Sequence, residues 1–187
     1  MNDTEKRVLL NQEQIASLLR QIASRISDKY PDMKDVVLVG IRTGGAYLAH
    51  RLREIFKDRG FGDIPTGILD ITLYRDDWTR ISHMPQVRST KIPFSVDDKI
   101  VILVDDVLYT GRTVRAAMDA IIDLGRPRKI ELAILADRGD GARELPIKAN
   151  YVGGTWDVSE EELINVYLRE EGAEEDCVVI EKRQKGG

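Results

Sequence analysis

The chain has a single cysteine, Cys177, and two histidines. One thiol rules out an intrachain disulfide framework. Its neighbours Val178, Val179 and Ile180 read as a strand, so Cys177 is expected to be an ordinary buried thiol. His50, in a helical stretch, and His83, in a polar one, carry no pattern that calls for catalysis. Charge of one sign is also lacking: 32% of residues are charged, yet the net charge is only −4. That excludes a global basic field for nucleic acid, so any RNA contact needs a local basic patch. No apolar run approaches the ~20 residues of a membrane span. The charged start Met1–Arg7 has no apolar signal core. The expectation is a soluble protein of the reducing cytoplasm that engages no membrane. Repeats, low-complexity tracts and a Gly-x-x-x-x-Gly-Lys-Ser/Thr nucleotide loop are missing as well.

What is present is a core: 42% of the 187 residues are apolar, which fits one domain, residues 1–187. Ile15, Leu18, Leu19, Ile22 and Ile26 recur at helical spacing, predicting a helix over Gln12–Lys29 with Asn11 as its N-cap. Asp35–Gly40 and Lys99–Val104 are short apolar runs, read as buried strands. Gly44–Arg59 returns to helical spacing, and Gly67–Tyr74 alternates as a strand would. Arg75–Val96 has neither period and is long enough to be a functional lid. Gly111–Leu124 predicts a helix ended by Gly125 and Pro127, and Lys129–Ala136 a third apolar strand. Leu163–Leu168 and Asp176–Glu181 predict a terminal hairpin. Glu160–Glu162 and Glu170–Asp176 read as solvated charge. Strands alternating with helices predict an α/β fold, a parallel sheet flanked by helices. Ligands of such sheets sit beyond the carboxyl ends of the strands.

Three strand ends carry polar, glycine-bearing turns: Gly40–Gly45, Asp105–Thr113 and Asp137–Gly141. The second is the most informative. Two adjacent carboxylates, Asp105 and Asp106, follow the apolar strand, and Tyr109–Thr113 then leads into a helix. Free N–H groups at a helix start attract an anion, and the helix dipole adds to this. Thr110 and Thr113 supply hydroxyls there, and Gly111 allows close approach. The acids suit what lies beside a phosphate: ribose hydroxyls and a hydrated Mg2+. Ribose bearing a 5′-phosphate fits this order of groups.

The apolar strand, acid pair and threonine-glycine turn resemble the phosphoribosyl diphosphate signature of type I phosphoribosyltransferases. Asp70–Asp77, Val104–Val114, Gly125–Pro127, Asp137–Gly139 and Arg143–Ile147 extend the resemblance to the bacterial pyrimidine operon attenuation proteins that are also uracil phosphoribosyltransferases. The resemblance implies a phosphoribosyltransferase-like sheet with a flexible lid over residues 75–96 and a small C-terminal hood over residues 150–182. It implies that Asp105 and Asp106 hold the ribose hydroxyls near Mg2+, with Val107, Leu108, Tyr109, Thr110, Gly111, Arg112 and Thr113 around the phosphoribosyl group. Arg42, Thr43 and Gly44 would form the pyrophosphate loop, with a cis peptide bond. Arg75 would reach the diphosphate from the lid; Trp78, in the same segment, reads either as a shield over the site or as an ordinary packing residue. Asp137, Arg138 and Val152 would lie near the base.

The implied reaction is uracil plus phosphoribosyl diphosphate giving UMP and pyrophosphate, in a homo-oligomer. A purine base, or an enzyme without regulation, is the alternative. The implied second activity is UMP-sensing binding of a pyrimidine operon leader RNA. Arg20, Arg143 and Lys148 are its candidate contacts, with Arg25 beside Arg20. This chain departs from the family at Gly44, where a basic residue is common, and in the turn through Asp140, Gly141 and Ala142, which is slightly longer.

Overall fold

The central strand explains the layering. In β4 (Ile100–Leu108), Ile100, Ile102 and Val104 enter one apolar cluster, while Val101 and Leu103 enter another on the opposite face. Side chains of a strand alternate between faces, so a strand buried on both sides reads as continuous apolar sequence. β2 (Val36–Ile41) does the same through Val36 and Leu38 on one face and Val37, Val39 and Ile41 on the other. These strands belong to a five-stranded parallel sheet of order β3-β2-β4-β5-β6, with β3 at Thr66–Leu69, β5 at Lys129–Asp137 and β6 at Tyr151–Thr155. Helices α1 (Gln12–Lys29) and α2 (Gly44–Asp58) cover the first face, and α3 (Arg112–Leu124) covers the second. The computed structural model describes residues 6–74 and 90–183. Among them, no helix is long and apolar enough to cross a membrane.

Helix α1 has the predicted bounds, closed by a reciprocal capping box: Asn11 Oδ1 accepts the Gln14 N–H, and Gln14 Oε1 accepts the Asn11 N–H, each at 2.9 Å. Its last turn is tied to the sheet by a buried carboxylate. Glu131 accepts from Lys29 Nζ at 2.6 Å, Tyr30 OH at 2.9 Å and Tyr151 OH at 2.6 Å.

Two strands were not expected. β6 contains Gly153 and Gly154, residues depleted from strands, so its pattern is weak. It pairs with β5, placing Val152 opposite Ile134. The segment expected to open the hood therefore completes the main sheet. β1 (Arg7–Leu10) is too short to show a period. It joins β7 (Glu162–Tyr167) and β8 (Cys177–Lys182) in an antiparallel sheet of order β1-β8-β7. That sheet packs Leu10, Ile164, Val166, Val178 and Ile180 into the cluster under α1 and α2. Cys177 is half-buried at the start of β8, and burial pushes its thiol up.

The strand predicted through Tyr74 stops at Leu69. Asp70 Oδ1 accepts the Thr72 N–H at 2.9 Å and its hydroxyl at 2.5 Å, a local turn that replaces the ladder. Residues 75–89, which hold Arg75, Trp78 and His83, lie outside the described residues. After them the chain returns to β3, where Ile68 and Lys91 exchange backbone hydrogen bonds at 2.8 and 2.7 Å. Ile92, Phe94 and buried Val96 then pack on the core, so the last residues assigned to the lid are core-bound.

One ionic clamp joins the two sheets. Arg51 of α2 donates to both oxygens of Glu170, at 2.8 and 2.6 Å, and to both of Asp176, at 2.6 and 3.0 Å. The expectation of solvated charge at these two acids is thereby corrected, because an arginine from another element reaches both. Burial alone would raise Asp176, but Arg51 and the Arg169 N–H outweigh it and hold the carboxyl below its usual value. Arg51 likewise holds Glu170 down. Depressed carboxyls stabilise the fold above their unfolded pKa values, near 4, and lose that contribution as pH falls through the folded ones. Arg51→Ala is expected to cost about 2 kcal/mol, between exposed and buried pairs. Thermal unfolding at neutral pH should drop by roughly 4–8 °C. The gap to wild type should close below about pH 4, checked by melting curves across pH.

Candidate active site

The acid pair sits inside β4, not beyond its end. The ladder to β5 continues through Asp105 opposite Ile134 to Leu108 opposite Asp137. The strand can run on because each carboxylate is satisfied locally. Asp105 Oδ1 accepts the Asp106 N–H at 3.0 Å, and Asp106 Oδ1 accepts the Val107 N–H at 2.7 Å. Asp105 is only 6% exposed. Burial, and then the charge of Asp106, pushes its carboxyl well above the usual range; burial also raises Asp106. Neither acid is paired with a described lysine or arginine. The expectation that both carboxylates stand clear of the core is corrected for Asp105.

Beyond Leu108 the chain turns through Tyr109 and Thr110 to Gly111, whose φ of 91° favours glycine and starts α3. The N-cap Gly111 makes no side-chain hydrogen bond to this helix, which suits the helix start to an anion. The Thr110 hydroxyl accepts the Arg112 N–H at 3.3 Å. Arg112 Nε pairs with Glu144 at 2.5 Å on the surface, and Thr113 lies in the first helical turn. The Glu144 and Leu145 N–H groups donate to Thr110 O at 3.0 and 3.3 Å, bracing the turn from outside.

The loop after β2 lies against the acids. The Arg42–Thr43 peptide bond is cis, as the resemblance implies. Arg42 Nε is buried with no hydrogen-bond partner, a group that an anion would satisfy. A Cβ added to Gly45 would come within 2.9 Å of Asp105 Cα, so backbone rests on backbone here. Three elements that are distant in sequence thus meet at the carboxyl end of the sheet.

Asp137 and Arg138 close the third side. Asp137 Oδ1 accepts the Gly139 N–H at 2.9 Å and Arg143 Nη2 at 2.6 Å. Arg143 Nη1 also donates to Tyr109 O. Arg143 was expected to face RNA; its side chain is only 8% exposed and points inward, because Asp137 and the Tyr109 carbonyl hold it. Arg138 is buried, with Cζ 3.8 Å from the Tyr109 ring centroid. Its Nη2 donates to Ser159 O at 3.1 Å, and its Nε and Nη1 have no partner. Burial pushes the Arg138 guanidinium below its ordinary value. A cavity of about 510 Å3 opens here, lined in part by Tyr109, Arg138, Arg143, Asp157, Val158 and Glu160.

Val152 is not among the lining residues: its carbonyl accepts Arg25 Nη1 at 3.3 Å across the sheet edge. The 157–160 turn lines this cavity. Glu160 reads in sequence as solvated charge, and nothing in the pattern of this turn marks it as part of a pocket. Arg20 and Lys148 are exposed, and Arg25 is engaged with the Asn150 and Val152 carbonyls.

The arrangement can hold a phosphate at α3, a polyhydroxyl group or cation at the acids, a second anion at Arg42 and a small planar acceptor at Arg138. Residues 7–164 match the phosphoribosyl transferase domain family. The chain is 53% identical over 177 residues to the bifunctional protein PyrR of Pelotomaculum thermopropionicum, covering 95% of this chain and 97% of that protein. It is 48% identical over 177 residues to the PyrR of Thermus aquaticus, with the same coverages. A Trypanosoma cruzi hypoxanthine phosphoribosyl transferase shares the fold, with a TM-score of 0.72 at 18% identity over 97% of this chain and 93% of that one. With a family match running from β1 into β7 and relatives this alike from end to end, the chain belongs to the phosphoribosyltransferase family and, within it, to the bifunctional PyrR proteins.

Proposed function

We propose that the protein transfers the phosphoribosyl group of phosphoribosyl diphosphate to uracil, releasing pyrophosphate and forming UMP, and that its UMP-bound form binds a pyrimidine operon leader RNA. The observation that carries the transferase reading is the uncompensated acid pair, which leads directly into an uncapped helix start. Ribose hydroxyls donate to carboxylates, and a 5′-phosphate accepts from the helix N–H groups, so one sugar phosphate answers both features. Thr110–Thr113 hold the phosphate, with Val107, Leu108 and Tyr109 lining the approach. Arg42 and the Thr43–Gly44 backbone receive the diphosphate, and Arg75 reaches it from the lid.

The family works with Mg2+, and the donor set fits an ion held mostly by the substrate. Among the described residues no three His, Cys, Asp or Glu side chains converge on one point, while Asp105 and Asp106 have no lysine or arginine partner there and would offer their remaining oxygens to a substrate-bound cation. When bound, Mg2+ offsets the charge that builds on the leaving diphosphate. The protein's share is to orient the sugar, to place Arg42 and Arg75 on the leaving group, and to exclude water as the lid closes. The bond from C1′ to the diphosphate loosens ahead of attack by uracil N1, the N1 proton passes to the departing diphosphate or to water, and electrostatics ease the separation of charge. Arg138 supplies N–H donors to a base carbonyl, and the 157–160 turn closes over it.

Uracil rests on the resemblance to the attenuation proteins; a cavity of this size also admits a purine. A base panel with phosphoribosyl diphosphate and Mg2+ tests it. Turnover is expected with uracil and about 100-fold less with hypoxanthine or guanine, since a site built on hydrogen bonds rejects a base that leaves its groups unpaired. Purine turnover equal to uracil turnover would sink the assignment.

Asp105→Asn and Asp106→Asn should each cut transfer by about 100-fold or more, since charge on the ligand loses its partner. Their melting temperatures should equal or exceed that of wild type, because the substitutions remove buried, mutually repelling charge. Melting curves beside a UMP-formation assay check both halves.

For RNA, Arg20 and Lys148 are the exposed cations that remain, and the protein, taken as a cytoplasmic homo-oligomer, would present them in more than one copy. Lys148→Ala should weaken a salt-sensitive, UMP-enhanced gel shift and leave transfer intact. Arg143→Ala should instead cut transfer by about 10-fold or more, since it leaves Asp137 buried and unpaired. Arg143→Ala with full activity would return that residue to the RNA candidates.

A further inference from the structure

Helix α2 starts at the loop after β2, where the backbone of Gly45 rests on β4 at Asp105, and carries Arg51 about two turns further on. A guanidinium is planar and offers its N–H donors in a fixed fork, so one arginine can serve two carboxylates at once. Arg51 spends that fork on Glu170 and Asp176, with every bond between 2.6 and 3.0 Å. Both acids lie between β7 and β8, in the small antiparallel sheet's connection. Asp176 Oδ1 also accepts the Arg169 N–H at 2.9 Å, and Leu168 is fully buried in the cluster under α2. The Glu171 N–H donates to Leu168 O at 2.9 Å, which closes the Arg169–Glu171 turn. Glu171 therefore sits on a turn fixed at Leu168, at Arg169 and at Glu170. Burial pushes its carboxyl up, and the charges of Asp106 and then Glu170 add to this, so Glu171 stands within electrostatic reach of the acid pair. In sequence this acid is one of a run of solvated charges, and only the clamp on its neighbour brings it to the site.

We infer that Arg51 is a positioning residue for phosphoribosyl diphosphate: its fork holds the 169–171 turn toward the acid pair and so sets a further carboxylate, Glu171, at the edge of the site. The inference rests on the phosphoribosyltransferase reading and adds to it a wall supplied by the small antiparallel sheet. A negative charge added beside Asp105 and Asp106 repels a bare diphosphate and favours the Mg2+-bound substrate. The base cavity is lined by neither Arg51 nor Glu171, so the effect falls on one of the two substrates.

A split between the two KM values tests it, because loss of stability alone does not discriminate between substrates. UMP formation is measured with Mg2+ on wild type, Arg51→Ala, Arg51→Lys, Glu171→Ala and the Arg51→Ala, Glu171→Ala double variant, well below each melting temperature. Arg51→Ala should raise KM for phosphoribosyl diphosphate about 10-fold and KM for uracil less than about 2-fold, since a small misplacement at a distance is felt where the ligand binds. Arg51→Lys should share the loss, because an ammonium keeps the charge but not the fork. Glu171→Ala should show the same split on its own, yet change KM by less than about 2-fold when added to Arg51→Ala, because the two act through one turn. Glu170→Gln, on the exposed side of the clamp, repeats the test if Arg51→Ala does not fold. Equal rises in both KM values, an unchanged KM for phosphoribosyl diphosphate in a folded clamp variant, or a Glu171→Ala effect that adds in full to Arg51→Ala overturns the inference. If wild type makes no UMP, it is the functional reading that fails.

Discussion

Two carboxylates are buried side by side on the central strand without a lysine or arginine partner among the described residues, and the rest of the site is arranged around that constraint. Water is a better solvent for charge than a protein interior, so such a pair raises the free energy of the folded chain. The fold limits the cost by giving each acid a backbone N–H within its own turn. No described lysine or arginine supplies a counter-charge, and such an arrangement gives up stability where a ligand with hydroxyl donors and a cation would gain binding.

The surrounding polar groups follow the same logic with opposite sign. Among the described residues, Arg42 Nε and the Nε and Nη1 of Arg138 are buried without a hydrogen-bond partner. Arg143 is mostly spent on structure. It bridges Asp137 to the Tyr109 carbonyl, fixing the exit of β5 to the turn before α3. The exit of β5 and the turn before α3 are therefore cross-linked, with Arg138 stacked on the same tyrosine. The small antiparallel sheet is locked to α2 by Arg51, and α2 begins at the loop that faces the acids. The C-terminal strands are thus tied mechanically to the pyrophosphate side of the site.

Much of this was legible in the residues. The periodicities of Gln12–Lys29, Gly44–Arg59 and Gly111–Leu124 placed three helices within a residue or two, because an amphipathic face must recur every 3.6 residues. The apolar runs at Asp35–Gly40 and Lys99–Val104 marked strands buried on both faces. The acid pair followed by threonine and glycine carried the resemblance to the phosphoribosyltransferases that the family match bears out. Local chemistry of this kind is written in consecutive residues, and so is the family to which the chain belongs.

What tertiary structure alone decided were the matters that depend on partners distant in sequence. Gly153 and Gly154 weaken the strand signal of β6, and only the edge of β5 makes that segment a strand. Arg143 looks like a surface cation until Asp137 and Tyr109 are brought beside it. Glu170 and Asp176 look solvated until Arg51 arrives from α2. Asp105 looks free of the core until β5 extends the ladder past it. In each case the side chain's role is set by burial and pairing across the sheet. A charge has one energy in water and another beside a counter-charge in the interior, and a chain read residue by residue carries no record of which of the two surroundings it will meet.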